Sequence, residues 1–274
     1  MKITSVASAL LLAGVAIAAP SKLQQMRHER HQKRVAEGRR SLRPLAVNAT
    51  SIEDVVVANN PKEVTYSSNW AGAVIVGTSI TEVTGTFTVP TVTIPSGGNS
   101  KTEYGAAAWV GIDGDTCGTA ILQTGVDFLI EGTETEYAAW YEWYPDYSYD
   151  FADFTVSPGN VIKATVIATS KTAGTATIEN VSTGKSITHT FSNEASLGSL
   201  CETNAEWIVE DFESGSSLVP FADFGTITFT GASYVTGGTT KGVTGASIFD
   251  VEQSSTVVTS CGVSGTSEVY CTYE

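Results

Sequence analysis

Residues 161–191 read VIKATVIATSKTAGTATIENVSTGKSITHTF, and this stretch contains three short runs in which apolar and polar side chains alternate. The runs cover residues 161–169, 175–180 and 186–191, and the last two are separated by the turn-forming sequence 182–184, Ser-Thr-Gly. Alternation with a period of two is typical of β-strands that bury one face, whereas Ser, Thr and Gly favour turns. The stretch therefore predicts three consecutive strands.

The same pattern continues on both sides of this stretch. Strand-like runs cover residues 83–89, 120–130 and 226–230, and clusters of turn residues occupy 96–99 and 157–160. From Val64 onward the chain is rich in Val, Thr, Ser and Gly and contains only five leucines, a composition that disfavours helices. Many short strands without helical spacers predict an antiparallel sandwich or barrel, and the lack of an internal linker predicts one domain.

Charge is distributed very unevenly along the chain. Through Ala49 there are nine Lys and Arg residues against two Asp and Glu, whereas from Thr50 onward six basic residues face 27 acidic ones, a net charge of −21. Such a field repels phosphate backbones and anionic lipid. We therefore expect no nucleic-acid partner and no membrane partner for this part of the chain, and we expect it to be a monomer.

The N-terminal 60 residues divide into two segments by composition. Residues 1–18 have a basic start, an apolar run and the small-residue sequence Ala16-Ile17-Ala18, which predicts a secretory signal peptide and hence a secreted protein. Residues 19–60 are basic, and we interpret them as a propeptide that binds the acidic body in cis at neutral pH and is released when carboxylates protonate. A disordered basic tail is the alternative. The catalytic domain would then cover residues 61–274.

Four cysteines follow the predicted signal peptide, which favours two disulfides. Cys261 and Cys271 flank a hairpin-like stretch, so we expect them to pair and to leave Cys117 with Cys201, although four cysteines allow three pairings. Two glycosylation sequons are present, at Asn48 and Asn180, and the first falls in the predicted propeptide.

Elimination narrows the chemistry of the acidic body. It contains one histidine, His189, on a predicted strand, and no Gly-x-Ser-x-Gly motif, which argues against a serine hydrolase. Paired cysteines leave neither a thiol nucleophile nor the ligands of a zinc site. Asp113-Gly114-Asp115 resembles the start of a calcium loop, but Thr124 stands where the twelfth-position Glu belongs. We therefore expect no metal and no cofactor.

Carboxylates and aromatic residues are what remains. Residues 137–149 are the densest aromatic tract, and alternation would place Trp140, Glu142 and Tyr144 on one strand face. A second cluster would place Glu206 and Glu210 on one face of another strand. The apolar neighbours of this cluster predict that at least one of its acids is buried and has a shifted pKa. The concentration of aromatic residues in the first tract predicts a wall of an extended binding cleft.

Five sequence blocks resemble the glutamic peptidases, or eqolisins, which are secreted acid peptidases of filamentous fungi. The blocks occur in the family's order between Tyr66 and the C-terminus, and they are YSSNWAG at 66–72, AWVGIDG at 108–114, ILQTG at 121–125, WYEWYP at 140–145 and NAEWIVE at 204–210. The resemblance implies an all-β fold, an antiparallel two-sheet β-sandwich of the concanavalin A-like or jelly-roll type.

The resemblance also implies roles for individual residues. Gln123 and Glu210 would be the catalytic pair, and the residues expected to line the cleft are Trp70, Trp109, Asp113, Asp127, Glu142 and Tyr144. Relatives carry a further cysteine pair near Gly105 and Leu129 that is absent here. A basic insert before Tyr104, which some relatives excise, is also absent, so a single chain is expected.

These residues suffice for peptide hydrolysis without a metal or a covalent intermediate. Glu210 would act as base and then as acid, and the neutral amide of Gln123 would donate to the oxyanion. Glu206 shares the face of Glu210 and is the alternative catalyst. Two other functions stay open on composition alone: a sandwich-fold glycoside hydrolase that uses Glu142 and Glu210, and a lectin-like carbohydrate-binding sandwich. A protein or peptide substrate and the propeptide in cis are the expected partners.

Overall fold

The structure is a computed structural model, and it describes residues 38–45, 47 and 64–274. The predicted signal peptide lies outside these residues, as do Asn48 and most of the predicted propeptide. Within the described part the chain is almost entirely β-structure, and one short 3-10 helix covers Glu194–Ser196. No helix in that part is long and apolar enough to cross a membrane.

The strands, in chain order, are β1 Arg39–Arg40, β2 Val64–Ser67, β3 Trp70–Val76, β4 Ile80–Thr88, β5 Glu103–Ile112, β6 Ile121–Glu131, β7 Glu134–Tyr144, β8 Tyr149–Asp150, β9 Val161–Ser170, β10 Ala173–Asn180, β11 Lys185–Ser192, β12 Asn204–Glu210, β13 Glu213–Ser214, β14 Ser217–Leu218, β15 Thr226–Thr236, β16 Thr239–Gly242, β17 Ser247–Gln253, β18 Thr256–Val257, β19 Thr259–Ser264 and β20 Glu268–Tyr273. All six strand-like runs identified in the sequence are strands in the structure.

Two large sheets form the sandwich, as predicted. The first has the order β11-β10-β9-β4-β15-β20-β19, with β16 paired to β15. The second has the order β18-β17-β3-β12-β5-β6-β7-β8, with β2 added in parallel beside β17. β1 pairs with β13 in a small third sheet.

The main core lies between the two large sheets and is built from the inward-facing residues that alternation predicts, among them Phe87, Val166, Trp207 and Phe229. The second sheet carries another apolar cluster on its outer face, which includes Trp70, Trp109, Trp140 and Phe212. Because both of its faces are covered, β3, β6 and β12 are buried along nearly their whole length. This outer face holds the predicted site.

Both disulfides have the pairing that the hairpin spacing favours. Cys117 is bonded to Cys201, and Cys261 is bonded to Cys271 across the β19–β20 hairpin. Gly105 and Leu129 lie directly opposite each other on β5 and β6. A cysteine pair at these positions, which the family resemblance implied for relatives, would therefore join two neighbouring strands that are paired here without a disulfide.

Asn180 is fully buried although it begins a sequon. Its Nδ2 atom donates hydrogen bonds to Asn160 Oδ1 at 2.9 Å and to the Thr155 carbonyl at 3.4 Å. Nδ2 is the atom that a glycan would occupy, so this packing is incompatible with a glycan at Asn180.

Candidate active site

Three cross-strand rows on the outer face of the second sheet bring the predicted site residues together. We call the surface that they form the cleft floor. Strand register places one residue from each successive strand, β3, β12, β5, β6 and β7, in a row. The rows are Trp70, Glu210, Ala107, Asp127 and Ala138; then Gly72, Ile208, Trp109, Gly125 and Trp140; and then Val74, Glu206, Gly111, Gln123 and Glu142.

Small residues in the central strands make room for the large ones beside them. Gly125 lies between Trp109 and Trp140 in its row, and a Cβ atom there would come within 2.5 Å of Trp109 Cβ. Gly111 precedes Gln123 in the next row, and a Cβ there would meet the Trp109 ring at 2.8 Å. The glycines of the AWVGIDG and ILQTG blocks are therefore required by the packing of the cleft floor.

Glu210 is fully buried at the end of β12 and is held by an indole. Trp109 Nε1 donates to Glu210 Oε2 at 2.9 Å, and the backbone N–H of Leu42 donates to Oε1 at 2.8 Å. Burial raises the pKa of Glu210 to about 7, and these hydrogen bonds keep it from rising further. This value describes Glu210 with residues 39–42 in place, since Leu42, Ser41 and Arg39 all contribute to it.

Gln123 and Glu142 are direct cross-strand partners on β6 and β7, and both side chains are fully buried. Glu142 Oε2 accepts the backbone N–H of Ser41 at 3.1 Å. Glu142 Oε1 and both polar atoms of the Gln123 amide have no hydrogen-bond partner among the described protein atoms. Burial raises the pKa of Glu142 well above its ordinary value, although Arg39 lowers it.

Glu206 lies in the same row as Gln123, with Gly111 between them, and is also fully buried. Its Oε1 accepts the Asp115 N–H at 3.3 Å. Burial and then the neighbouring Asp113 raise its pKa well above the ordinary value. Glu206 is thus a second buried acid on the face of Glu210, but no indole donates to it, and it forms no hydrogen bond with the described residues of the chain segment that crosses the cleft floor.

Asp113 stabilises the chain that leads into β12. Its buried carboxylate accepts the backbone N–H groups of residues 201–204, at 2.7–3.2 Å, and the Thr203 hydroxyl at 3.1 Å. These residues lead into β12, which carries Glu206 and Glu210. The structure therefore places Asp113 under the start of β12, whereas the family resemblance implied a place in the cleft lining.

Residues 38–45, which we call the cleft segment, cross the cleft floor. In addition to the contacts with Glu142 and Glu210, the Leu42 carbonyl accepts Trp70 Nε1–H at 2.8 Å. The Asn69 side chain makes two hydrogen bonds to the segment's backbone. Its Oδ1 accepts the Leu45 N–H, and its Nδ2 donates to the Arg43 carbonyl. Most of these bonds use the segment's backbone, so the cleft floor holds the segment mainly through groups that every polypeptide has.

Arg39 fills a pocket at one end of the cleft segment. Its guanidinium forms a buried ion pair with Asp127, donates to the Ser148 hydroxyl and lies 4.5 Å from the centre of the Trp140 ring and 4.4 Å from that of Phe212. The ion pair between Arg40 and Glu213, at 2.8 Å, is more exposed. Asp127 thus contributes to binding of the segment, which was not apparent from its strand pattern.

The remaining predicted residues have clear positions. Tyr144 packs at the edge of the outer cluster, and Trp70 meets Trp109 edge-on at 5.0 Å between ring centres. Asn69, Ser148 and Phe212 were not identified from the sequence as site residues. Asn69 lies in the YSSNWAG block at 66–72. Ser148 and Phe212 lie in loops between strands, and no pattern in the sequence indicates that these loops pack at the site. His189 stacks on Tyr141 at 3.8 Å on the other side of β7, away from the cleft floor.

Comparison with known proteins matches this geometry to an established enzyme family. A match to the Peptidase A4 family spans residues 68–273. The chain belongs to that family. It is 52% identical to Aspergillopepsin-2 of Aspergillus niger, over 97% of this chain and 98% of the relative, and 44% identical to Scytalidopepsin B of Scytalidium lignicola over the full length of both.

A solved structure leads to the same conclusion. The crystal structure of scytalido-glutamic peptidase with a transition state analog inhibitor superposes with a TM-score of 0.69 at 47% identity, and the match covers 76% of this chain and 98% of that chain. The resemblance to the glutamic peptidases, the eqolisins, is confirmed. This A4-family chain is accordingly a glutamic endopeptidase, and the glycosidase and lectin interpretations are not supported.

Proposed function

We propose that this protein is a secreted acid endopeptidase in which Glu210 activates water and the Gln123 amide stabilises the oxyanion. The observation that carries the proposal is the backbone of residues 41–42, which lies on the cleft floor with its N–H groups on Glu142 and Glu210. Any polypeptide presents the same backbone groups, so the site suits many sequences.

The reaction is balanced with these two residues and one water. The Glu210 carboxylate takes a proton from water as the water oxygen bonds to the scissile carbonyl carbon. The carbonyl oxygen becomes an oxyanion and accepts a hydrogen bond from Gln123 Nε2. Protonated Glu210 then gives its proton to the leaving nitrogen, the C–N bond breaks, and a carboxylic acid and an amine result. Trp109 holds Glu210 in one orientation throughout.

An assay with two substrates tests the activity itself. Purified protein, incubated at acidic pH with acid-denatured haemoglobin and an inhibitor of aspartic peptidases, is expected to release acid-soluble peptides. The same preparation is offered xylan and glucan as a control. Release of sugar without proteolysis, or binding of either polymer without turnover, would contradict the proposal.

We further propose that residues 19–60 are a propeptide and that its cleft segment inhibits the enzyme. The Leu42 N–H occupies the Glu210 oxygen that a catalytic water would need, and Gln123 makes no bond to the segment's carbonyl groups. The segment therefore binds as a peptide would but does not present a carbonyl group to the oxyanion donor. This arrangement favours inhibition over cleavage.

A peptide of residues 38–45 is expected to inhibit the mature enzyme competitively, and Arg39→Ala is expected to weaken it by about 10²–10³-fold because the buried ion pair with Asp127 is lost. Arg40→Ala is the matched control and should change the inhibition constant less than about fivefold, since its ion pair is more exposed. Equal effects of the two changes would show that general charge attraction, and not the Arg39 pocket, holds the segment.

The pH dependence of this inhibition follows from two opposing sets of groups. The general attraction between the basic segment and the acidic body weakens as carboxylates take up protons, in general near pH 4. Glu210 acts in the opposite direction, because its pKa in the occupied cleft is about 7 against an ordinary 4.5. Its contribution to binding is fully present below the ordinary value and is lost as pH rises through 7. Inhibition should therefore be strongest at about pH 5 and weaken on both sides, which differs from the tight binding at neutral pH that the charge pattern alone predicts.

A further inference from the structure

Glu142 has a hydrogen-bonding pattern that its role as a cleft residue does not explain. It lies directly opposite Gln123 in the β6–β7 ladder, on the same face, and cross-strand partners have Cβ atoms about 5 Å apart. One of its oxygens, Oε2, accepts a backbone N–H of the bound chain, and the other, Oε1, has no partner among the described atoms although it is buried. The amide of Gln123 beside it is free as well.

We propose that Glu142, carrying a proton, is a second oxyanion donor that acts together with Gln123. Its Oε1–H would donate to the carbonyl oxygen of the scissile bond while Oε2 accepts a backbone N–H of the substrate. The inference rests on the proposed function of Gln123 and Glu210. No bond of Glu142 forms or breaks, and its proton stays on Oε1 throughout the reaction.

The contacts that residues 41 and 42 make with the two acids support this assignment. Ser41, whose N–H contacts Glu142, directly precedes Leu42, whose N–H contacts Glu210. A chain bound in this way therefore places consecutive peptide groups on the two acids, and the carbonyl that joins them, that of Ser41, lies between the contacts. In the cleft segment this carbonyl makes no hydrogen bond with Glu142 Oε1 or Gln123. A substrate bound for cleavage would turn the same carbonyl toward these two donors, next to the nitrogen that Glu210 would protonate.

The charges around Glu142 support its neutral form. It is fully buried, and the ionised forms of Glu210 and Asp127 both disfavour a further negative charge. The one cation that acts on it, Arg39, belongs to the cleft segment and leaves with it. A buried carboxylic acid that keeps its proton is an effective donor to a developing oxyanion, because it can donate a hydrogen bond and carries no negative charge that would repel the oxyanion.

Two substitutions of Glu142 distinguish this role from simple substrate binding. In the acid-processed enzyme with a quenched fluorescent peptide, Glu142→Leu should lower kcat by about 10²–10³-fold. Glu142→Gln should stay within about tenfold of the parent, because a carboxamide also offers one acceptor and one donor. The parent should lose kcat as pH rises and Glu142 ionises, and Glu142→Gln should lose less over the same range.

Glu136→Gln is the matched control, since Glu136 lies on the same strand and face but opposite Leu129, and it should leave kcat unchanged. The inference is overturned if Glu142→Gln is as inactive as Glu142→Leu, or if Glu142→Leu raises KM and leaves kcat intact. Melting temperatures check folding, and the size-matched Glu142→Gln keeps the test valid if the Leu variant unfolds. Activity of Glu210→Gln in the same assay would instead disprove the proposed function.

Discussion

Glu210→Gln is expected to lower kcat by about 10⁴-fold, because the variant has no group that can take a proton from water and return it to the leaving nitrogen. Gln123→Ala is expected to lower kcat by about 10²–10³-fold, the usual cost of one preorganised oxyanion donor. Steady-state kinetics on a quenched fluorescent peptide at acidic pH, after removal of the cleft segment, measures both effects.

Glu206→Gln is the matched control for Glu210→Gln. Both acids lie on β12, face the cleft floor and are fully buried, and the pKa of each is raised by burial. Only Glu210 has the Trp109 hydrogen bond and the contact with the cleft segment. We expect Glu206→Gln to retain activity within about tenfold. Full activity in Glu210→Gln together with its loss in Glu206→Gln would reverse the assignment.

The second large effect is on stability, which should be higher in mild acid than at neutral pH. Five buried carboxyl groups have pKa values raised chiefly by burial, namely Glu142, Glu206, Glu210, Asp211 and Asp250. The folded protein therefore binds extra protons. Their contribution to stability is complete below the ordinary carboxyl value near 4 and is lost as pH rises through the folded pKa, which is about 7 for Glu210 and Asp250.

A shift of one pKa unit corresponds to about 1.4 kcal/mol, so Glu210 and Asp250 each contribute about 3–4 kcal/mol across this range. For a domain of this size the melting temperature should fall by about 10 °C or more between pH 4 and pH 8. The net charge of −21 beyond Ala49 adds self-repulsion, and high salt should therefore reduce the difference. Calorimetry of the weakly active Gln123→Ala variant, which keeps Glu210, limits self-digestion and measures the shift.

Asp250→Asn in that background isolates one of these groups. Asp250 lies on β17, outside the cleft floor, and its Oδ1 accepts the Thr259 hydroxyl at 3.0 Å, a bond that asparagine can keep. The variant should show a smaller fall in melting temperature as pH rises. Glu252→Gln, on the same strand, should leave the fall unchanged. A melting temperature that is equal or higher at neutral pH in low salt would refute this electrostatic account.

The fold class and the local faces of the strands could be predicted from the sequence, because side-chain alternation is a local property. A period of two needs only neighbouring residues, so the strands within 161–191 and the common face of Glu206 and Glu210 follow directly from the order of residues. The pairing of Cys261 with Cys271 is equally local, since one hairpin joins them. The net charge argued against a nucleic-acid partner, and it too is read from the sequence without coordinates.

Strand order and register were decided only by the tertiary structure. The row that contains Glu206, Gln123 and Glu142 crosses β12, β5, β6 and β7. β12 lies 60 residues after β7 in sequence, and the side-chain pattern of a single strand does not specify which strand pairs with it. Packing of both faces of the second sheet selects that order, and loop packing adds Phe212 and Ser148 to the Arg39 pocket.

The position of the basic N-terminal segment could not be predicted from the sequence. Its charge predicted attraction to the acidic body, but charge is not directional and specifies neither a place nor a conformation. The structure places residues 38–45 on the cleft floor by backbone hydrogen bonds and one buried ion pair. Hydrogen bonds and desolvated charge pairs depend on exact positions in space, and only the folded chain brings Asp127, Trp70 and Glu210 to those positions.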